Sequence, residues 1–325
     1  MPTMDISLIN MLTIADNRLS KLKSWLIDTV WTKKRYEQFG ALKYLKDGEA
    51  KVNDIEKLVA ATADRIYQEF FQENEPSKNI LTQLTTPSTA VIIFDGMSIR
   101  ELPILILNAQ KSGMKIIEQD YTFSAIPSET MTFVEHKLGC SGVSPSQLPG
   151  RKDLCEKGIH SVFLGSNTQS LNADVDAQSL LVWSSFPDNT YSDSEARFEQ
   201  HFEHICHQIE TAWIHSVQQI KRHKRIIITS DHGYIFFGSG MDFERMPNEM
   251  KELNSFFGND RNKFVDEGVA IPVSGDVFYD SHSRYAMVKG RVHTRSTGHA
   301  ATRLYKHGGL SLMECFVPWL VLERE

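Results

Sequence analysis

Ile226-Ile227-Ile228-Thr229-Ser230-Asp231-His232-Gly233 is the stretch that decides the fold. A run of β-branched residues without polar alternation is the pattern of a strand buried on both faces, as in a parallel sheet. The run ends in an adjacent carboxylate and imidazole, and the carboxyl edge of such a sheet is where α/β folds gather ligands. Val91-Ile92-Ile93-Phe94-Asp95-Gly96 repeats the plan, and Tyr305-Lys306-His307-Gly308-Gly309 adds another imidazole beside glycines. Carboxylate and imidazole donors together suit zinc or manganese better than calcium, so these strand ends read as candidate metal ligands.

Outward from that core, strands are expected at residues 90–94, 160–164, 179–184 and 225–229, with extended chain at 115–124. Helices are expected over residues 98–112, from Thr130 onward after Pro127-Ser128, and over 194–221, where length and charge fit a long amphipathic helix. Gly, Ser and Pro make residues 139–150 a loop, and residues 239–269 read as a polar, irregular surface insertion. Strand and helix alternating in this way predict an α/β sandwich around a mostly parallel sheet.

Residues 1–86 differ. Leu8, Leu12, Leu19, Leu22, Leu26 and Val30, then Ile55, Leu58, Val59, Ile66 and Phe70, recur at three- and four-residue steps. That spacing predicts a helical N-terminal region, a lobe or partner-binding appendage, followed by a catalytic domain over residues 87–325.

Composition narrows the classes. With 325 residues, 41% hydrophobic and 23% charged, the chain can bury a large core, and disorder is not the default. No apolar run approaches the roughly 18 residues needed to span a bilayer. The start, Met1-Pro2-Thr3-Met4-Asp5, lacks a secretory signal's basic region and cleavage site, so a cytoplasmic location is expected. The four cysteines form no CxxC pair and read as reduced thiols. A net charge of -6 argues against a general nucleic-acid coat, because non-specific affinity comes mainly from Lys and Arg on phosphates.

Asp95, Asp231-His232 and His307, taken in order, resemble the alkaline phosphatase superfamily and, more narrowly, the PglZ domain of bacterial phage-defence systems. The segments that carry the resemblance are Val91 to Arg100, Ile126-Pro127-Ser128-Glu129-Thr130, Ile226 to Gly233, and Tyr305 to Pro318 with its His-Gly-Gly, Ser-Leu, Glu and Val-Pro. It spans about residues 90–322 and omits the helical region. The resemblance implies an alkaline-phosphatase-like sandwich and a metal-dependent phosphodiesterase with Thr130 as nucleophile. Asp95, Asp231 and His232 would bind one of two divalent metals, zinc or manganese, and His307 the other. Nucleic acid or an oligonucleotide would be the substrate, with other defence proteins as partners, reached through the helical region.

The superfamily's usual Asp, with His four residues later, is broken here: Asp188 remains the chosen ligand, but Ser192 stands four residues on, and Asp193 is the nearest other carboxylate. That substitution keeps open a scaffold with weak or no turnover. A phosphomonoesterase is the third reading, for which Arg100 is the candidate cation. Phe133, Tyr234, Phe236 and Phe237 are considered for stacking bases, with core packing their commoner role. His293, Arg295, His299, Arg303 and Lys306 form a candidate cationic rim or simply solvated charge. His201, His204, His207 and His215 lack a companion motif and read as surface or packing residues. Singly, a strand-end Asp such as Asp95 commonly caps the next helix.

Overall fold

The computed structural model describes residues 10, 12, 18–62, 64–72, 75–172, 177–193, 198–237, 243, 245–292 and 305–324. At its centre is a six-stranded sheet. Its strands are β1 (Thr89–Phe94), β2 (Lys115–Phe123), β3 (Ile159–Leu164), β4 (Ser179–Ser184), β5 (Arg225–Ser230) and β11 (Phe316–Glu323), in the order β2-β11-β5-β1-β4-β3. β5, β1, β4 and β3 run parallel, β11 is antiparallel to both β5 and β2, and β6 (Ile235–Phe236) and β10 (Tyr305–Lys306) pair antiparallel in a separate two-stranded ladder.

Side chains alternate across this sheet into two separate cores. Ala90, Ile92, Leu180, Val182, Ile226 and Ile228 face one core; Val91, Ile93, Leu181, Trp183 and Ile227 face the other. Each such isoleucine, sealed from water, contributes about 1.5–3 kcal/mol, which is why these strands carry apolar side chains on both faces. The second core is covered by Ile80, Leu84, Phe133, Val134 and Leu138. Helices Leu102–Lys111 and Phe198–His215 cover the first. The mixed α/β sandwich with a mostly parallel sheet is therefore present as expected.

Leu19, Leu22, Tyr44, Leu45, Val52, Ile55 and Val59 from the N-terminal helices belong to that same first core. Two buried carboxylates of helix Lys33–Thr62 reinforce the contact. Glu49 accepts from Arg100 and Arg291, and Glu56 accepts from Arg291 and from the Leu312 amide.

Three details differ from the sequence expectation. Residues 316–322 form an inner strand, and Pro318 sits where β11 pairs with β2 alone, so its missing N–H costs no bond to β5. The long helix ends at His215, where the hydroxyl of Ser216 bonds Ala212 O and competes with the backbone ladder; residues 194–197 lie outside the described residues. Residues 239–269, expected to be irregular, instead carry helix Pro247–Phe257 and β7 (Asn262–Phe264), and the chain that follows adds β8 (Val277–Asp280) and β9 (Tyr285–Val288) to make a small sheet in the order β7-β9-β8. These strands have only three or four residues each, too few to show periodicity. Among the described residues no helix is long and apolar enough to cross a membrane.

Candidate metal centre

Register brings the strand ends together. Phe94 and Ser230 are paired across β1 and β5, so Asp95 and Asp231 leave the sheet side by side. Ser184 on β4 is level with Phe94 on the other flank, and the chain returns so that the Asp188 amide donates to Asp95 O at 3.0 Å. Two glycines make the approach possible. Gly96 has φ +69°, donates its amide to Asp231 Oδ1 at 3.0 Å, and would place a Cβ 3.0 Å from that of Asp188. Gly233 lets the next loop close, since a Cβ there would stand 2.1 Å from Met313 O.

The six residues singled out from the sequence are brought into one cleft. Thr130 opens helix Thr130–Leu138, and its hydroxyl donates to Asp231 Oδ2 at 2.7 Å, with His232 Nε2 at 3.2 Å and Asp95 Oδ1 at 3.5 Å. Ligand atoms of Asp95, Asp231 and His232 lie within 4.8 Å of one another, and so do those of Asp188, His232 and His307. The imidazoles of His232 and His307 stack at 3.9 Å, so His232 stands between the two groups.

Protonation follows from the neighbours. His232 Nδ1 faces Gly233 O at 3.0 Å and His307 Nδ1 faces Ser128 O at 3.3 Å. A carbonyl only accepts, so in each neutral ring Nδ1 carries the hydrogen and Nε2 keeps its lone pair for a cation. Burial and then the adjacent His232 push the His307 imidazole down to about 4, leaving it neutral. Burial, then Asp231 and Asp188, push the Asp95 carboxyl well up. Positive charge placed beside Asp95 would favour its ionised form. Three carboxylates and two imidazoles offer the oxygen and nitrogen donors that a divalent cation takes, and the residues present fit such ions.

Several supporting residues were given no role from the sequence, although Ser128 and Glu314 lie within the motifs that carry the resemblance. Trp183 Nε1 donates to Asp95 Oδ2 at 3.1 Å. Ser128 Oγ accepts from the Gly308 amide at 3.1 Å and donates to Gly309 O at 2.9 Å, tying the His307 loop to the start of the Thr130 helix. Glu314 Oε1 accepts the Gly309 amide and is gripped by Arg261, fully buried immediately before β7. Asn262 bridges Glu129 Oε1 and Gly308 O. Apart from the Gly309 amide on Glu314, these contacts join residues 46 to 181 positions apart, where no local pattern announces them.

Among the residues whose side chains are described, the other candidates do not reach the cleft. Arg100 is 0% exposed, bonded to Glu49 and Tyr234 O, and serves packing rather than an incoming anion. Phe133, Tyr234, Phe236 and Phe237 are core residues. Lys306 Nζ is bonded to Asn259 O, while His293, Arg295, His299 and Arg303 lie outside the described residues. His201 is buried against Tyr305 and His204 and His207 are exposed; none of the helix histidines joins a metal-holding group among the described residues. Ser192 and Asp193 fall in the 3-10 segment Asp188–Asp193.

No family model and no curated protein matches the sequence. Among solved structures, murine ectonucleotide pyrophosphatase/phosphodiesterase 5, inactive and in complex with AMP, is similar at 10% identity and a TM-score of 0.42, covering 72% of this chain and 87% of that one. Phosphonoacetate hydrolase from Sinorhizobium meliloti 1021, in complex with phosphonoacetate, is similar at 11% identity and a TM-score of 0.36, covering 73% and 90%. Likeness this loose carries no function from either protein to this chain.

Proposed function

We propose that this chain is a metal-dependent phosphodiesterase of the alkaline phosphatase superfamily, PglZ type, acting through Thr130. The observation that carries the reading is a single hydroxyl at a helix start, in contact with Asp231 and within reach of His232 and Asp95. Asp95, Asp231 and His232 would hold one cation, and Asp188 and His307, with His232 beside them, a second. Bound cations would lower the hydroxyl's pKa and neutralise the phosphate. Thr130 Oγ attacks phosphorus, its proton directed at Asp231, and the bond to the leaving oxygen breaks. The first-turn amides of Thr130–Leu138 have no intrahelical partner and favour the anion. Water then cleaves the phosphothreonine.

A diester is favoured over a monoester because Arg100, the cation considered for the extra negative charge, is held inside by Glu49. Nucleic acid or an oligonucleotide is the proposed substrate, in a cytoplasmic phage-defence setting whose other proteins engage residues 1–86, with 87–325 as the catalytic domain. The rival scaffold reading rests on Ser192 alone.

Metal analysis and turnover of an aryl phosphodiester test this. The parent binds about two zinc or manganese ions, and Thr130→Ala keeps them while losing at least about 10³-fold in kcat. Equal rates in parent and Thr130→Ala, or no metal uptake, would sink the proposal.

A further inference from the structure

The insertion brings an exposed aromatic ring to the side of the cleft. In the pairing of β7 with β9, Asn262 is opposite Met287 and Phe264 is opposite Tyr285. Alternate residues of a strand share a face, and so do cross-strand partners, so Asn262, Phe264, Met287 and Tyr285 all look the same way. That direction is known from contacts. Met287 is fully buried in the main core, and the Asn262 amide touches Glu129, the residue before Thr130, and Gly308, the residue after His307. Phe264 therefore stands one strand repeat, roughly 7 Å, beyond a side chain that already borders the nucleophile.

What stands there is unlike the rest of the site's aromatic surroundings. Phe133, Tyr234, Phe236 and Phe237 are sealed in the core, whereas Phe264 is 45% exposed. Tyr285 meets its ring edge-on, with centroids 5.6 Å apart, and the Arg284 guanidinium lies 4.9 Å from its centroid, steadied by a bond from Nε to Val265 O. Burial first, then the Glu129 and Glu135 carboxylates, raise the Tyr285 phenol, which places that ring in the field of the Thr130 helix. A half-exposed phenylalanine gains from being covered by a flat apolar partner, and a guanidinium beside it favours one that is joined to phosphate. A nucleotide has both properties, and the phosphate to which its base is attached is the group the cleft is built to meet.

We infer that Phe264, with Tyr285 and Arg284 around it, is the ledge on which a nucleobase of the phosphodiester substrate stacks while its phosphate lies against Thr130. This rests on the phosphodiesterase reading and adds to it a preference for nucleotide over simple alkyl or aryl esters, set by the insertion rather than by the metal ligands.

The test compares two diesters with the same leaving group, thymidine 5′-(4-nitrophenyl) phosphate and methyl 4-nitrophenyl phosphate, on metal-loaded protein. The parent prefers the thymidine ester. Phe264→Ala lowers kcat/KM for that ester roughly 10- to 100-fold, mainly through KM, and leaves the methyl ester unchanged. Phe264→Trp restores the preference. Tyr279→Ala removes an exposed ring from the opposite face of the same small sheet and alters neither rate. Should Phe264→Ala slow both esters equally, or should the parent cleave both with the same kcat/KM, the ledge is refuted while the phosphodiesterase stands. A parent inert on both esters removes the phosphodiesterase reading and the ledge with it.

Discussion

Glu49→Gln tests whether the N-terminal helices are built into the framework of the fold that carries the cleft. Glu49 is fully buried and bonds two buried guanidinium groups, Arg100 through one oxygen and Arg291 through the other. Burial alone would raise its pKa; the two arginines outweigh that and hold the carboxyl down to about 2, against an ordinary 4.5. At about 1.4 kcal/mol per pKa unit, the difference corresponds to about 3 kcal/mol of stability. Removing one partner from a buried ion pair costs roughly 3–5 kcal/mol, in agreement. At about 2 °C per kcal/mol for a chain of this size, Tm falls by ~6–10 °C.

The sign of the pH dependence is definite. Because the folded pKa lies below the unfolded one, the Glu49 contribution is complete above about pH 5.5 and drains away as pH falls from 4.5 toward about 2. Urea unfolding of parent and Glu49→Gln across this range measures it, with the gap between them widest near neutrality and narrowing in acid. Metal affinity falls as well, because Arg100 bonds the carbonyl of Tyr234, two residues after His232. A gap under about 1 kcal/mol near neutral pH, or one that widens on acidification, refutes the reasoning.

Ser128→Ala removes the tie between the His307 loop and the Thr130 helix and leaves the buried Gly308 amide without its acceptor, costing about 1–3 kcal/mol. Calorimetric titration should show metal affinity lowered about 10- to 100-fold, and unchanged affinity would show that the loop holds itself. Gly233→Ala forces a Cβ against Met313 O and is expected to lose about 1–3 kcal/mol in urea unfolding. Gly275→Ala, where nothing lies within 4 Å, changes stability by less than about 0.5 kcal/mol; similar values for the two variants would contradict the packing described around His232.

The sequence determined the parts of this protein that local chemistry specifies. Residues 226–230 and 90–94 carry side chains that must be buried on both faces, so they announce inner strands of a parallel sheet before any partner is known. The polar residues that follow them mark the strands' carboxyl ends, which made Asp95, Asp231 and His232 visible as candidates. His307 stood out as an imidazole beside glycines, whereas Thr130 was legible only through the motif resemblance, being an ordinary helix-start residue in isolation.

Only the tertiary structure decided how those residues meet and what braces them. Level registers of β1, β4 and β5 set Asp95, Asp188 and Asp231 around one cleft, and register is a property of strand pairs that no single segment contains. The same holds for Arg100, which looked from its motif like an anion's partner and is instead claimed by Glu49, a residue 51 positions earlier. Phe264 belongs to a three-residue strand too short to show a period, yet its pairing with β9 turns it toward the Thr130 side of the molecule. Burial, ion pairing and strand register are long-range quantities, because they depend on which distant segments exclude water together; a chain read in order shows what each segment needs, and folding chooses which neighbour supplies it.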